Sequence, residues 1–587
     1  MTTKTSSKPA SGSQKAGHKA ARSKPRQPKA AITERSLQDK FLEYLPLAVI
    51  VLAFFMIYSQ ALNFDLLDWD DYGYIKNNPD VQNFSIRNFF TSFYGGNYHP
   101  LTCITWSVDY YLGGLNGKSY HMTNMLLHVL NIVLMYFFVK FLFERKDIAL
   151  FTAALFAIHP MHVESVAWVS ERKDVLYACF FLLSLIAYLR FIRNDHKKYY
   201  LASLVLFILS LLSKSAAVVL PLVLLLIDYF KEKKITTESL LLKLPFFLIS
   251  ILFGVIALKS QQTSMSYGFA PHFPLISRLL IASYGMTHYL LSFVFPFKQS
   301  ALHPYPVAVG EALPWYFFGS AITIFLIIFC IIYFKKYRKI LLFAFGFFFI
   351  NLLLVIQILP VGKAIVAERY TYLAYPGLAM LLGYLLFGFS GRSKNIILVS
   401  IAAWLIFLSV QTYARLPVWK NSLTIFSDII STHPEEESGW YNRGLVRFYM
   451  KDYKAALEDY NASLALKADN APALYNRSLV RKEFQDYQGV LDDLNKAIAL
   501  EPGYIDARKN RGIANAIFKD YQGALNDFSM VLKQYPDDTS TLINRGLIWT
   551  TLDKKEKACE DFTKAARLGS SRASKFASEA CLQKKTE

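Results

Sequence analysis

Between residues 46 and 413 the chain runs through twelve apolar stretches separated by short polar or charged loops. They fall at 46–62, 121–143, 148–168, 175–192, 199–213, 215–230, 240–259, 276–297, 314–334, 340–359, 370–389 and 396–413. A helix needs about 20 apolar residues to cross the hydrocarbon core, and several of these runs are that long. In lipid each backbone polar group must be satisfied within its own segment, so runs of this kind fold as helices. With 53% hydrophobic and 16% aromatic residues over 587 positions, the chain is too apolar for a soluble protein and suits a multi-span membrane protein.

The formal charge of +20 does not imply nucleic acid, because the basic residues cluster in the N-terminal tail and the loops between apolar runs. That is the pattern of a topology signal. Residues 1–40 are rich in Lys, Arg, Ser, Pro and Ala, and a disordered basic cytoplasmic tail is expected over 1–44. No small-residue cleavage site follows the first run, so it is read as a retained span. If all twelve runs crossed, Lys335-Lys336-Tyr337-Arg338-Lys339 and Arg392-Ser393-Lys394 would face outward. Arg145-Lys146, Arg190 to Lys198 and Lys231 to Lys234 would face inward. The weakest run is 276–297, which carries Arg278, Tyr284, Gly285, Thr287 and His288. Reading it as interfacial or re-entrant puts every basic cluster on the cytoplasmic side. About eleven crossings result, over 45–413, with everything after 413 outside. The outer loops are then 63–120, 169–174, the turn at Lys214, 260–313 and 361–369. Residues 83–94 read as a short amphipathic helix on the membrane surface.

From 414 to 587 the sequence becomes a helical repeat. Tyr441-Asn442-Arg443-Gly444, Tyr475-Asn476-Arg477-Ser478, Lys509-Asn510-Arg511-Gly512 and Ile543-Asn544-Arg545-Gly546 recur every 34 residues. Tyr453, Tyr487 and Tyr521 keep the same phase, as do Asp459, Asp493, Asp527 and Asp561. A 34-residue period with small residues at the helix crossing is the tetratricopeptide (TPR) signature. Four repeats are expected near 439–472, 473–506, 507–540 and 541–570, after a half-repeat at 417–433 and before a capping helix at 571–583. Such stacks present a concave groove to extended peptides or partner proteins. Cys103, Cys179, Cys330, Cys559 and Cys581 have no metal-ligand spacing. Cys559 and Cys581 can pair only in an oxidising compartment, and two unpaired small hydrophobes is the favoured reading.

Four polar sets sit at the outer ends of the apolar runs. The first is Asp68, Asp70 and Asp71, just past the first run. The second is His99-Pro100-Leu101-Thr102 with His121, Asn124 and His128, the last three sharing one helical face. The third is His159-Pro160-Met161-His162-Val163-Glu164-Ser165 followed by Glu171-Arg172-Lys173-Asp174. The fourth is Lys363 with Glu368-Arg369-Tyr370. Taken singly, each has a bland reading. Asp is a common helix cap, a lone His on an apolar face is usually a bonded core residue, and Lys363 and Arg369 can simply snorkel at a helix end. Together they bring carboxylates, imidazoles and cations to one membrane face, as a phosphate-linked lipid donor requires. His162 and Glu164 alone are too few to make a metal site, and none is expected.

These stretches resemble a family, the transmembrane-and-TPR-containing protein O-mannosyltransferases. The resemblance lies in Trp69-Asp70-Asp71-Tyr72 with Asn78-Pro79, His99-Pro100-Leu101-Thr102, Gly114-Leu115-Asn116, and His121, Asn124 and His128. It extends through His159 to Ala167, Arg172-Lys173-Asp174 and Ala367-Glu368-Arg369-Tyr370-Thr371-Tyr372-Leu373. It implies an all-α, polytopic membrane GT-C glycosyltransferase fold followed by an extracytoplasmic TPR α-solenoid. It further implies a polyprenyl-phosphate sugar donor, with mannose as the candidate sugar, and inverting transfer to an acceptor hydroxyl. Some GT-C enzymes use a divalent metal and others do not. One of Asp70 and Asp71, with Asp70 slightly favoured, becomes the general base for a Ser/Thr hydroxyl. Arg369 becomes the ligand of the donor phosphate, with Lys363, Lys214, Arg172 and Lys173 as weaker candidates. His99, His121, His159, His162, Glu164 and Glu368 are expected to orient substrate or base. Here His99 stands where animal members usually carry Arg. The basic tail and short repeat array point to a bacterial inner membrane, with the repeats periplasmic and binding exported acceptor proteins. Two rival readings stand beside this one: the same chemistry on a lipid-linked glycan or surface polysaccharide, and a non-catalytic membrane anchor for a TPR scaffold.

Overall fold

A computed structural model describes residues 37–231, 236–263, 273–359, 362, 364–389 and 392–582. The chain divides into two units, 1–46 and 47–587. Most of the expected tail lies outside the described residues. Its last part does not fit the expectation, because the first helix, Leu37–Tyr58, already begins within 1–44.

The described chain is almost entirely helical. Six helices are long and apolar enough to cross a membrane: Leu42–Asn63, Gly117–Phe143, Val169–Asn194, Thr237–Gln262, Trp315–Tyr333 and Lys394–Trp419. A seventh candidate is broken, since Lys146–Ile158 and Pro160–Ala167 meet at 61°. The break falls at His159-Pro160, because Pro disfavours helix at the residue before it and offers no N–H. The apolar runs at 199–213, 215–230, 340–359 and 370–389 form shorter helices: Lys197–Ser213, Leu220–Phe230, Arg338–Leu352 and Tyr375–Leu386. The run at 276–297 forms the helix Leu275–Val294, which is not among the candidate spans. The amphipathic segment is a six-residue helix, Ile86–Thr91, shorter than expected, with Phe89 buried and Phe84, Ile86 and Phe90 exposed.

One departure from an all-helical chain is a small antiparallel ladder. His303 pairs with Val366 and Pro304 with Ala364, which fixes the strand leading into Arg369.

The repeats form as helix pairs: Glu437–Tyr449 with Tyr453–Leu466, Ala471–Glu483 with Tyr487–Leu500, Ile505–Ile517 with Tyr521–Gln534, and Thr539–Thr551 with Lys555–Arg567. Ser571–Leu582 follows them. In each pair an Arg on the first helix forks onto an Asp sixteen residues later on the second: Arg443 to Asp459, Arg477 to Asp493, Arg511 to Asp527 and Arg545 to Asp561, all at 2.6–3.0 Å. The small residue after the Arg lets the helices meet; a Cβ at Gly546 would sit 2.6 Å from the Phe562 ring.

Two expectations need correction. Cys559 and Cys581 are joined as a disulfide, with Cα atoms 5.3 Å apart, because adjacent helices bring them together. The expected boundary at 413/414 cuts through a core. Leu416, Trp419, Ile425, Phe426 and Ile429, from the half-repeat and its lead-in, share one buried cluster with Phe64, Leu67 and Trp168.

Candidate functional site

The first outer loop is stitched to the half-repeat helix Ser422–Thr432. The Asp65 N–H donates to the Lys420 carbonyl at 2.9 Å, and the Asp68 N–H to Ser422 Oγ at 2.7 Å. Trp69 stacks on Trp168 with ring centroids 5.0 Å apart, and Trp168 on Trp419 at 5.3 Å. These contacts hold the short stretch that carries the two carboxylates.

Asp70 and Asp71 have different surroundings. Asp71 is fully buried. Its carboxylate accepts from the Leu67 N–H and the Ser170 N–H, both at 2.9 Å, and from the Ser170 hydroxyl. Burial pushes its carboxyl up to about 6, and those hydrogen bonds limit the rise. Asp70 is half-buried and has no hydrogen-bond partner among the described residues. Burial raises its carboxyl too; Lys173 pulls it down, Glu171 pushes it up and Arg369 pulls it down. Asp70 therefore lies within the electrostatic reach of two of the cations expected to bind phosphate.

Those cations converge on Glu171, which is buried. Lys173 Nζ lies 3.3 Å from its carboxylate, and Lys214 Nζ and Arg369 Nε each 3.4 Å. Charge-assisted bonds of good geometry are about 2.7–2.9 Å, so these three are loose. Lys214 has a tighter partner in Asp174. Arg369 is clamped by Glu164, which pairs with the guanidinium and accepts the Arg369 backbone N–H at 2.8 Å. The guanidinium also lies over Trp168, 5.7 Å from its centroid, and Tyr370, 4.9 Å. Lys173 has only Glu171 as an ionic partner among the described residues, and it lies 5.2 Å over the Tyr74 ring. Glu164 thus orients a cation, rather than the base or the sugar.

His99 belongs to the same neighbourhood. Its ring is buried edge-on to Tyr74 and Trp106, and neither nitrogen has a hydrogen-bond partner among the described residues. Burial, and then the charge of Lys173, hold its pKa down at about 3, so it is neutral. The Thr102 hydroxyl, on the helix that follows, donates to the Ser213 carbonyl at 3.0 Å and ties this segment to the Lys214 turn.

Other expected residues lie elsewhere. Arg172, expected among the phosphate ligands, turns away from the cluster. It is fully buried against Asp109 and donates to Asn124 Oδ1 and the Tyr120 carbonyl, both at 2.7 Å. On a helix, consecutive side chains point about 100° apart, so Arg172 and Lys173 cannot share a partner set. His121 is buried beside Phe64, and His128 bonds the Tyr372 hydroxyl at 2.7 Å. His159 meets the Phe293 carbonyl and His162 the Phe156 carbonyl, each at 3.0 Å. These four are bonded or packed core histidines, not members of the Asp70 group. Glu368 points opposite to Arg369, toward Arg415 at 3.3 Å; Arg415 in turn holds Asp428 of the half-repeat at 2.7 Å. Burial raises the Glu368 carboxyl to about 8, against the pull of Arg415. Lys363 lies outside the described residues. Among the described residues, no three His, Cys, Asp or Glu side chains converge as a metal-binding group.

Ser170, Trp168 and Arg415 were not anticipated. Ser170 carries no sequence signal. Trp168 did carry one, since it closes the apolar run 148–168, whereas Trp69 and Trp419 stand beyond the ends of theirs.

Comparison with known proteins agrees with this organisation. Residues 103–259 match the family model described as dolichyl-phosphate-mannose-protein mannosyltransferase, and 438–470 match a tetratricopeptide repeat. Protein O-mannosyl-transferase TMTC1 of Homo sapiens is 36% identical over 148 residues, 23% of this chain and 17% of that protein. Protein O-mannosyl-transferase F38B6.6 of Caenorhabditis elegans is 26% identical over 414 residues, 66% of this chain and 58% of that protein. The aligned part is under two thirds of each relative's length. The crystal structure of MamA is similar over 26% of this chain and 90% of its own, at 18% identity and a TM-score of 0.25, too low to bear on the fold. The chain is thus similar in architecture to the TMTC proteins, in that a segment matching the mannosyltransferase family model is followed by TPR-like helical repeats.

Proposed function

We propose that this TMTC-like chain is an integral membrane glycosyltransferase that moves a sugar of the mannose class from a polyprenyl-phosphate carrier to Ser/Thr hydroxyls of exported proteins. The observation that carries the reading is the convergence of Lys173, Lys214 and Arg369 on buried Glu171 at 3.3–3.4 Å, with Asp70 nearby as a half-buried carboxylate that has no hydrogen-bond partner among the described residues and whose pKa Lys173 and Arg369 lower. A free carboxylate near fixed cations suits general-base catalysis beside a departing phosphate.

In this mechanism Asp70 takes the proton of the acceptor hydroxyl as its oxygen attacks the anomeric carbon. The bond from that carbon to the phosphate oxygen breaks, its electron pair stays with the phosphate, and the configuration at carbon inverts. Arg369, Lys173 and Lys214 offset the charge that develops on the leaving group. Asp71 holds the loop through Leu67 and Ser170, and Glu164 holds Arg369. His99, neutral and without a hydrogen-bond partner among the described residues, offers a donor to a sugar or phosphate oxygen.

The same reading sets eleven crossings: the six long helices, the bent pair and the four shorter apolar helices, with Leu275–Val294 left out. The N-terminus is then cytoplasmic, and the repeats form a solenoid in the periplasm of a bacterial inner membrane, where they engage the acceptor. The Cys559–Cys581 disulfide supports that side, since disulfides persist in oxidising compartments.

The test is direct. Purified full-length protein is given synthetic polyprenyl-phosphate mannose and a Ser/Thr peptide, and the products are read by mass spectrometry. Sugar on the peptide, lost in Arg369→Ala, is expected. Transfer only to a lipid-linked glycan, or none with any polyprenyl-phosphate hexose, rejects the reading.

A further inference from the structure

A cleft of about 720 Å³ lies beside the first outer loop and contains none of the cations around Glu171. One wall is residues 62–66 with Asp68 and Lys76. The second is the turn 115–118, the third is 421–423 at the start of the half-repeat, and the fourth is Val446 and Met450 of the first full repeat. It therefore opens between the repeats and the loop that carries Asp70.

The walls near the loop are fixed. A Cβ at Gly117 would collide with the Phe64 carbonyl, so the second wall presses against the first with no room to spare. Asp65 and Asp68 are bonded to Lys420 and Ser422, which join the first wall to the third. Asn116 and Asn421 use their Oδ1 atoms as helix caps, accepting from the Lys118 and Thr424 N–H groups at 3.0 Å each. Their amide NH2 groups stay available as donors. Leu62, Leu115, Val446 and Met450 line the same cleft, with Met450 64% exposed.

This lining selects its occupant. Asp65 and Asp68 are balanced in the lining by Lys118 and by Lys76, which pairs with Asp68, so the cleft carries no net charge to draw an anion. A polyprenyl chain has no use for so many polar groups. Amide donors spaced among apolar side chains match the carbonyls and alternating side chains of an extended polypeptide. The volume is that of an ordinary ligand pocket, about 300–1,000 Å³. Asp68 is in the wall and Asp70 is two residues further on, so at most about 7 Å of backbone separates the cleft from the proposed base.

We infer that this cleft is the acceptor subsite. It holds an extended Ser/Thr-bearing segment, and a hydroxyl of that segment passes over the 68–70 turn to Asp70. The inference rests on the protein-directed reading above, and it puts acceptor recognition at the junction of membrane segment and repeats rather than on the repeats alone.

The test uses the full-length protein in lipid nanodiscs. A photoreactive benzoyl-phenylalanine replaces Met450, Lys118 or, as a control on a distant repeat, Lys496, and the probe is a labelled Ser/Thr/Ala peptide that the wild type glycosylates. Crosslinks at 450 and 118, absent at 496 and displaced by unlabelled peptide, are expected. In addition, Met450→Trp should raise the KM for the peptide at least tenfold and leave the KM for the lipid donor unchanged. If that variant does not fold, the crosslink at 118 decides. A peptide that is glycosylated but crosslinks equally at 496, or at neither cleft position, overturns the inference and leaves the protein-directed reading standing. If the wild type glycosylates no peptide or protein but does glycosylate a lipid-linked glycan, that reading fails and the cleft assignment falls with it.

Discussion

Replacing Asp70 by Asn removes a base and little else. Asp70 has no hydrogen-bond partner among the described residues, so no donor is orphaned, and the loop is held by Asp71, Asp68 and Trp69 instead. A positioned general base contributes about 10²–10⁴ in rate, about 3–5 kcal/mol of barrier at 1.36 kcal/mol per decade. The expected Asp70→Asn phenotype is a kcat down by that factor with an unchanged thermal midpoint and an unchanged KM for the lipid donor. Asp71→Ala makes the contrast. It strips acceptors from the buried Leu67 and Ser170 N–H groups, at about 1–3 kcal/mol for each orphaned donor. That variant should lose stability and activity together. The assay pairs initial rates of sugar transfer with thermal unfolding in detergent on the same preparations. An Asp70→Asn protein that keeps more than about a tenth of its kcat, beyond the lower bound of the base's contribution, refutes the assignment. So does an Asp71→Ala protein that is inactive yet fully stable, because Asp71 would then be the reacting group.

Four further outcomes follow from the geometry. Arg369→Lys keeps the charge but cannot reproduce the fork to Glu164 and the approach to Glu171; with charge-assisted bonds worth about 1.5–3 kcal/mol, the KM for the lipid donor should rise about 10–100-fold. Arg172→Gln breaks a fully buried pair with Asp109, costing about 3–5 kcal/mol, so calorimetry should show a lower midpoint while the folded fraction keeps its donor KM. Asp71 should impose a pH dependence on stability. Its carboxyl is raised from 3.8 to about 6 in the folded chain, so the native state holds this proton more tightly than the unfolded chain. Its contribution is fully present below pH 3.8 and is lost as pH rises through about 6, about 3 kcal/mol in all. Denaturant titrations from pH 4 to 7 should show that decline in the wild type and a flatter profile in Asp71→Asn. Finally, the Cys559–Cys581 bridge closes a loop of 22 residues' separation, worth about 3 kcal/mol in the chain-entropy account; dithiothreitol should lower the unfolding midpoint of the wild type and leave Cys559→Ser unaffected.

Periodicity and run length were legible in the sequence because each is repeated many times. The 34-residue phase placed all four helix pairs, and the apolar runs placed the long helices. The weak run at 276–297 was set apart by its polar residues, and its helix is not among the candidate spans. What escaped was any property decided by one side chain's direction. Arg172 and Lys173 are adjacent in sequence, yet one is locked against Asp109 and the other reaches Glu171. Glu368 and Arg369 divide in the same way, one toward the repeats and one toward Glu164. The histidines were overcounted. His128, His159 and His162 all satisfy a ring nitrogen within the core, the ordinary fate of a His on an apolar face. The boundary at 413/414 was misplaced because composition changes there, whereas burial continues through Ile429.

Charge balance explains how such a site can wait for its substrate. Three cations without counter-ions, placed between apolar spans, would face a desolvation penalty of several kcal/mol each. Glu164, Glu171 and Asp174 offset it, but not equally. Glu164 and Asp174 each hold one cation tightly, while Glu171 is shared among three at 3.3–3.4 Å. A phosphate entering the cluster competes only with the loosest of these partners. Lys173, which has no second carboxylate among the described residues, can turn to it at least cost. Asp70 would then lose part of the positive field of Lys173 and Arg369 that lowers its pKa. The field weakens as the donor binds, so the carboxylate becomes a stronger base when a sugar is in place to be attacked. On this account donor binding and base strength are linked through Lys173, and the acidic limb of the kcat profile should lie at higher pH than that of kcat/KM for the lipid donor, which reports the donor-free enzyme.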